Sequence, residues 1–181
     1  MNKTEEKLMQ IKDAALRTKC LKILNHLEKK YSFSEKPAAK NHHHNYRGGL
    51  DVHTAEVMAQ ILQLNLIAGN DSSNPFSNDE VLLVGFLHDL GKAYAYVFAH
   101  NIDTKQEEIR LISFPCSQEA IIFRLCAKFG IELSFEQMSA IEFAHGGWSV
   151  QAQNNHIERG KLADLLHCAD LLSAGFGVAK K

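Results

Sequence analysis

At 181 residues the chain is the length of one domain that can bury a sizeable core, so residues 1–181 read as a single domain. An apolar fraction of 45% beside 23% charged residues is that of an ordinary globular protein. A net charge of −1 excludes a global electrostatic pull toward nucleic acid or membrane, and the lack of a long uncharged apolar run excludes a membrane-spanning helix.

The start, MNKTEEKLMQIKDAALRTK, is charged and amphipathic and lacks the apolar stretch of a signal peptide, so a cytoplasmic protein is expected. Leu8, Ile11, Ala15, Leu21, Leu24 and Leu27 fall at helical spacing and predict one helix over about Lys3 to Lys30. SFSEKPAAKNHHHNYRGG then reads as a long loop, broken by Pro37 and by Gly48-Gly49. A second helix is expected over about Leu50 to Ala68, with His53, Val57, Ile61 and Leu64 on one face. GNDSSNPFSNDE is a loop, and Ser77 or Asn78 is the N-cap of a third helix that ends around Gly91.

AYAYVFAH and EEIRLIS flank the polar NIDTKQ and predict a small β-hairpin. After Pro115 come helices over about Ser117 to Phe129, Ser134 to His145 and Ile157 to Ser173, and the tail FGVAKK reads as frayed. Parallel-sheet signals are absent. The expected fold is all-α with one small hairpin.

Cys20, Cys116, Cys126 and Cys168 are scattered and form no CxxC pair, so they read as reduced structural thiols. Ten histidines is a high count, and three of them, His42, His43 and His44, are consecutive. An internal run preceded by about forty native-looking residues does not read as a purification tag.

The chemistry begins with VLLVGFLHDLGK, residues 81–92, an apolar stretch that carries His88 and Asp89 side by side. An ionised aspartate on a helix that is apolar all round is costly unless it is paired or binds a metal. Asp170 poses the same difficulty in LADLLHCADLLSA, and His53 lies on the buried face of its helix. Each residue alone has a plain reading. His53 fits a hydrogen-bonded core histidine, Asp89 a partner of Lys92, and Asp170 a partner of Lys161 or Arg159. One divalent cation explains all four together. Imidazole with carboxylate suits manganese, iron, nickel, cobalt or zinc rather than calcium.

These residues resemble the HD-domain metal-dependent phosphohydrolases, whose pattern H…HD…D reads here as His53 in GGLDVHTAEV, His88-Asp89 in GFLHDLGK and Asp170 in LLHCADLLSA. The likeness spans about residues 37–174, with the N-terminal helix packed on it. PAAKNHHHNYRGGLDVHTAEVM is similar to the HD domain of bacterial 3′→5′ exoribonucleases and to HD domains associated with conjugative relaxases. The resemblance implies an HD-domain helical bundle that hydrolyses a phosphoester, often of a nucleotide or nucleic acid. It makes His53, His88, Asp89 and Asp170 the metal ligands. The chain leaves no room for the OB-fold of the exoribonucleases, which argues against processive exonuclease action. Dinuclear relatives add two histidines. His145 in FAHGGW stands for one, but CSQEAIIFRL offers only Ser117 or Gln118 for the other, so one ion per chain is expected.

For catalysis, Asp89 is placed to take a proton from an activated water, Lys92 to meet a phosphate, and His145 to bind phosphate or protonate the leaving oxygen. Arg47, beside Gly48-Gly49, suits phosphate through its planar guanidinium, against the plain reading of a loop charge. His43 and His44 precede the metal helix as substrate or ligand-orienting groups, and His42 reads as exposed. Tyr46 and Trp148 fit core packing better than base stacking, and His167 a packed core position better than orientation of Asp170. Asp164, about 120° around its helix from Asp170, is not a co-ligand. His26, His100 and His156 read as surface residues. The substrate expected is a nucleotide or a short nucleic acid, with no membrane partner, and a homodimer is compatible with this reading. The competing readings are a non-catalytic HD module that binds a nucleotide or partner protein, and a purely structural helical domain. The latter leaves Asp89 and Asp170 unexplained.

Overall fold

In the computed structural model the residues described are 1–69, 76–113, 116–146 and 158–176. The N-terminal periodicity resolves into two helices, α1 (Lys3–Leu8) and α2 (Ala14–Tyr31), in place of one. The break has identifiable causes. Asp13 caps α2 by accepting from the backbone N–H of Ala15 and Leu16. The Asp79 carboxylate accepts from Lys12 and Asp13 N–H, both at 2.8 Å. At the other end of α1, buried Asp51 accepts from Lys3 and Thr4 N–H, both at 2.9 Å. Helical spacing was preserved across the break, so periodicity alone could not reveal it.

The long loop is tied down at several points. Ser32 ends α2 in the left-handed conformation, and a 3-10 turn follows over Phe33–Glu35. Ala38 N–H donates to His44 C=O at 3.0 Å, Leu50 N–H to Lys36 C=O at 2.8 Å, and Lys36 Nζ to Tyr96 C=O at 2.9 Å. A Cβ at Gly49 would lie 1.9 Å from the His44 carbonyl oxygen, so only glycine admits this turn.

Helix α3 (Gly49–Gly69) and helix α4 (Asn78–Leu87) carry the core. A capping box starts α4, with Ser77 and Glu80 each bonding the other's backbone N–H. Both helices are apolar on nearly every side because each packs in two directions. Leu50, Met58, Phe86 and Leu87 join Leu8, Ile23, Leu27 and Phe33 in one buried cluster. Val57, Ile61, Val81 and Val84 join Phe143, Leu162 and Leu166 in a second. Each such fully buried large side chain contributes about 1.5–3 kcal/mol of transfer free energy. At Gly85 a Cβ would stand 3.3 Å from Met58 Cα, so the two helices cross closely there. That crossing is three residues before His88 and five after His53.

After α4, residues 88–91 form tight turns that lead into the short α5 (Lys92–Ala95). The expected helix end near Gly91 therefore comes at Leu87. Strands β1 (Tyr96–His100) and β2 (Glu107–Leu111) form the hairpin, antiparallel, with Tyr96 opposite Leu111 and His100 opposite Glu107. Helix α6 (Gln118–Phe129) starts at the Ser117 cap and ends at left-handed Gly130. Helix α7 (Phe135–Glu142) begins with a Ser134–Gln137 capping box and stops short of His145, which lies in the turn that follows. Helix α8 (Lys161–Phe176) begins later than expected, since Glu158–Gly160 are not helical and Ile157 lies outside the described residues. Pro115, Trp148, His156 and residues 177–181 also lie outside them. No helix among the described residues is long and apolar enough to cross a membrane.

All four cysteines are free. Cys20 and Cys126 are buried, and burial pushes both thiols up to about 12. Cys116 and Cys168 are exposed. Cys168 sits on the outer face of α8, where an apolar sequence neighbourhood does not mean burial. His26 is half-buried against the Phe129 ring rather than on the open surface, while His42 and His100 are exposed as expected.

Candidate metal centre

Three helical segments deliver the four expected ligands to one point. His53 comes from the first turns of α3, His88 and Asp89 from the turn after α4, and Asp170 from the middle of α8. His53, His88 and Asp89 are at most 2% exposed and Asp170 is 8% exposed. One nitrogen or oxygen of each lies within 4.8 Å of the other three. His53 Nε2 is 3.1 Å from both Asp89 Oδ2 and Asp170 Oδ1. His88 Nε2 is 3.4 Å from Asp89 Oδ2 and 4.0 Å from Asp170 Oδ1.

Hydrogen bonds on the far side of each ring assign the tautomers. His88 Nδ1 lies 2.7 Å from Gly85 C=O, an acceptor only, so Nδ1 carries the hydrogen. Ser173 Oγ donates to Glu56 Oε2 at 2.8 Å, which leaves Oγ to accept from His53 Nδ1 at 2.9 Å. When neutral, the two rings therefore present bare Nε2 lone pairs, 3.3 Å apart, with two carboxylate oxygens beside them. Four electron-rich groups converge in a buried space with no hydrogen to share between the rings. A divalent cation satisfies all of them, and the donor set of two imidazoles and two carboxylates fits one.

A proton is the competing occupant. Burial works against a charge on His53, but the carboxylates of Asp170 and Asp89 outweigh it and raise its pKa. Burial also opposes ionisation of Asp89. Lys92 first, then His88 and His53, outweigh that effect and hold Asp89 well below the usual carboxylate range. In the same way His145 and His53 hold Asp170 below it despite burial.

The remaining expected residues divide by position. Lys92 is buried, with Nζ 2.5 Å from Asp89 Oδ2, so it is neither a solvated helix-end charge nor free of the site. Burial lowers its pKa, and Asp89 more than compensates. His145 is a third exposed, with Nε2 3.5 Å from Asp89 Oδ1 and Nδ1 3.4 Å from Asp170 Oδ2. Its bond to Asp170 raises its pKa over the opposing effect of burial. His43 packs its ring 5.0 Å from that of His53, and Nε2 is buried with no hydrogen-bond partner. Burial, then the charges of His53 and Lys92, lower its pKa to about 4, so it is neutral at pH 7. His44 is buried in a left-handed conformation, with Nε2 3.0 Å from Glu56 Oε2 and Nδ1 unpartnered.

Arg47 lies outside this group. It is exposed, ion-paired with Glu35 and Glu107, and stacked 4.4 Å above the Phe98 ring, where it joins the loop to the hairpin. Asp164 pairs with Arg159 at 2.6 Å, as a local carboxylate. Tyr46 is half-buried near His44. Ser117 serves as the α6 cap, and Gln118 packs on the ligand turn. A Cβ at Gly91 would stand 2.6 Å from Gln118 Cβ.

Two residues absent from the sequence reading, Glu56 and Ser173, set the orientation of His53. Each lies three residues beyond an expected ligand, on the same helical face as His53 and Asp170 respectively, so the spacing was available as a signal. His167 is half-buried, not a packed core residue. Its Nδ1 bonds Ala144 C=O at 2.9 Å, which braces the turn that carries His145. At Gly146, in the left-handed conformation, a Cβ would come 2.4 Å from the His167 ring.

The chain matches no protein-family profile and no solved structure. Over 96 residues it is 31% identical to the dihydroneopterin 2',3'-cyclic phosphate phosphodiesterase of Methanocaldococcus jannaschii. That stretch is 49% of this chain and 39% of the curated relative, so the match spans well under half of that protein.

Proposed function

We propose that this chain is a metal-dependent phosphohydrolase of the HD-domain type, cleaving a phosphoester of a nucleotide or nucleic-acid end with an activated water. The observation that carries the proposal is the convergence of two imidazole Nε2 atoms and two carboxylates on one buried point. The distant phosphodiesterase relative supports a hydrolase, and a diester, including a cyclic one, as the substrate class.

His53, His88, Asp89 and Asp170 would hold one divalent transition-metal ion. Such an ion supplies Lewis-acid chemistry, lowering the pKa of a water and drawing charge from a phosphoryl oxygen. The protein residues do the rest. Asp89 uses Oδ2 toward His53 and Lys92, while Oδ1 is buried without a hydrogen-bond partner and is placed to accept the proton of an attacking water. Lys92 keeps that carboxylate ionised. His145, partly exposed beside both carboxylates, is placed to hand a proton to the leaving oxygen. His43, neutral and with Nε2 facing no partner, can donate to a phosphoryl oxygen, and His44 orients Glu56 behind His53.

The test is a panel of phosphomonoesters, linear diesters and 2′,3′-cyclic diesters, assayed with manganese, iron, nickel, cobalt or zinc, beside Asp89→Ala. Metal-dependent turnover that falls at least a hundredfold in Asp89→Ala is expected. Equal rates in both proteins would defeat the mechanism. Metal bound at full stoichiometry with no turnover of any ester would favour the non-catalytic module.

A further inference from the structure

A cavity of about 210 Å³ opens between α2 and α6, bordered by Tyr94 of α5. It is lined by His26, Lys30, Arg124 and Lys128, with Tyr31, Tyr94, Ile121 and Leu125 as its aromatic and apolar wall. Among the described residues no carboxylate lines it, although the whole chain carries 21 acidic residues against 20 lysines and arginines. The other cationic clefts differ. Lys22 shares its cleft with Glu5 and Glu28, Lys19 with Asp13 and Glu132, and Lys161 with Asp164. None of Lys30, Arg124 and Lys128 has a carboxylate within ion-pair distance among the described residues.

Cations gathered at one concavity repel one another, and their field is focused by the low-dielectric wall. Lys128 Nζ lies 3.3 Å from His26 Nε2, so the lysine donates to a neutral imidazole. Burial, then Lys128 and Lys30, lower the pKa of His26 in keeping with this. The Tyr31 and Tyr94 rings pack 4.1 Å apart at the wall, offering an apolar surface beside the charges.

We propose that this cavity is a second binding site, distinct from the metal centre, for a small phosphate-bearing ligand held by Lys30, Arg124 and Lys128. Guanidinium grips phosphate through paired N–H donors and the ammonium groups supply point charge. Tyr94 belongs to α5, two residues beyond Lys92, so the cavity wall shares a short helix with the lysine that pairs with Asp89.

The test uses the full chain, labelled with nitrogen-15 and titrated with inorganic phosphate and with adenosine 5′-monophosphate while backbone amides are followed. Saturable shifts centred on Lys30, Arg124 and Lys128 are expected. Tighter binding of the nucleotide would assign its nonphosphate part to the tyrosine wall, and equal binding would assign the site to phosphate alone. The double variant Arg124→Glu/Lys128→Glu, both positions exposed, should bind at least tenfold more weakly with an unchanged melting temperature. The proposal is overturned if neither probe shifts these amides, if the double variant binds as tightly as wild type, or if only an oligonucleotide shifts them. These amides report separately from those of α3 and α8, so failure here leaves the hydrolase proposal standing.

Discussion

Ser173→Ala isolates the support behind His53, one of the proposed metal ligands. Ser173 is fully buried and sits between His53 Nδ1, at 2.9 Å, and Glu56 Oε2, at 2.8 Å. Alanine removes both bonds but leaves Glu56 half in solvent, where water replaces the hydroxyl at little cost. His53 Nδ1–H is left orphaned in the interior, which costs about 1–3 kcal/mol. Urea unfolding of the metal-free protein should show a drop of that size with an unchanged slope. The second effect is on the tautomer. With no acceptor at Nδ1, the hydrogen can move to Nε2 and occupy the lone pair that faces Asp89 and Asp170. Loss of such an orienting partner weakens metal binding about 10- to 100-fold, equivalent to about 1.4–2.8 kcal/mol. Chelator competition measures it, and nitrogen-15 shifts of the ring report the tautomer directly. A variant that loses stability but binds metal within twofold of wild type would refute the role assigned to Ser173.

Other consequences are independent of that one. Lys92→Met leaves the fully buried Asp89 carboxylate without its ammonium. The metal-free protein should lose about 3–5 kcal/mol in urea unfolding, and saturating manganese should recover a large part of it by giving the carboxylate another cation. Gly91→Ala drives a Cβ to 2.6 Å from Gln118 Cβ and 2.9 Å from its Cα. A loss of about 1–3 kcal/mol is expected from thermal melts, whereas Gly69→Ala, where nothing lies within 4 Å, should cost none. With a thiol reagent at neutral pH the native protein should react at Cys116 and Cys168 only. Cys20 and Cys126, buried and pushed up to about 12, should react only after unfolding.

Where a residue's environment is set by its own helix, the sequence was sufficient. The α3 face, the cap at Ser77 or Asn78, the Ser134 cap and the two-stranded hairpin follow from spacing, short polar side chains and alternation. The convergence of His53, His88, Asp89 and Asp170 was legible for another reason. An ionised group in an apolar run must have a compensating partner, so Asp89 and Asp170 could be identified from chemistry before any geometry. Features that depend on distant partners were hidden. The break between α1 and α2 rests on Asp79, which lies far along the chain. Lys92 was readable as a partner of Asp89, whereas its burial was not, because nothing in LGKAYAY shows that α6 packs on the turn at Gly91. Arg47 looked free to meet phosphate, and its two glutamate partners come from the 3-10 turn and from the hairpin.

Metal stoichiometry tests the site most directly. The chain, freed of metal and re-supplied separately with manganese, iron, nickel, cobalt and zinc, is desalted and measured by elemental analysis beside His88→Ala and Asp170→Ala. One ion per chain is expected with at least one of these metals, falling below a tenth in both variants. Wild type that retains no metal under any of the five conditions, or variants that retain as much as wild type, would contradict a metal centre at His53, His88, Asp89 and Asp170.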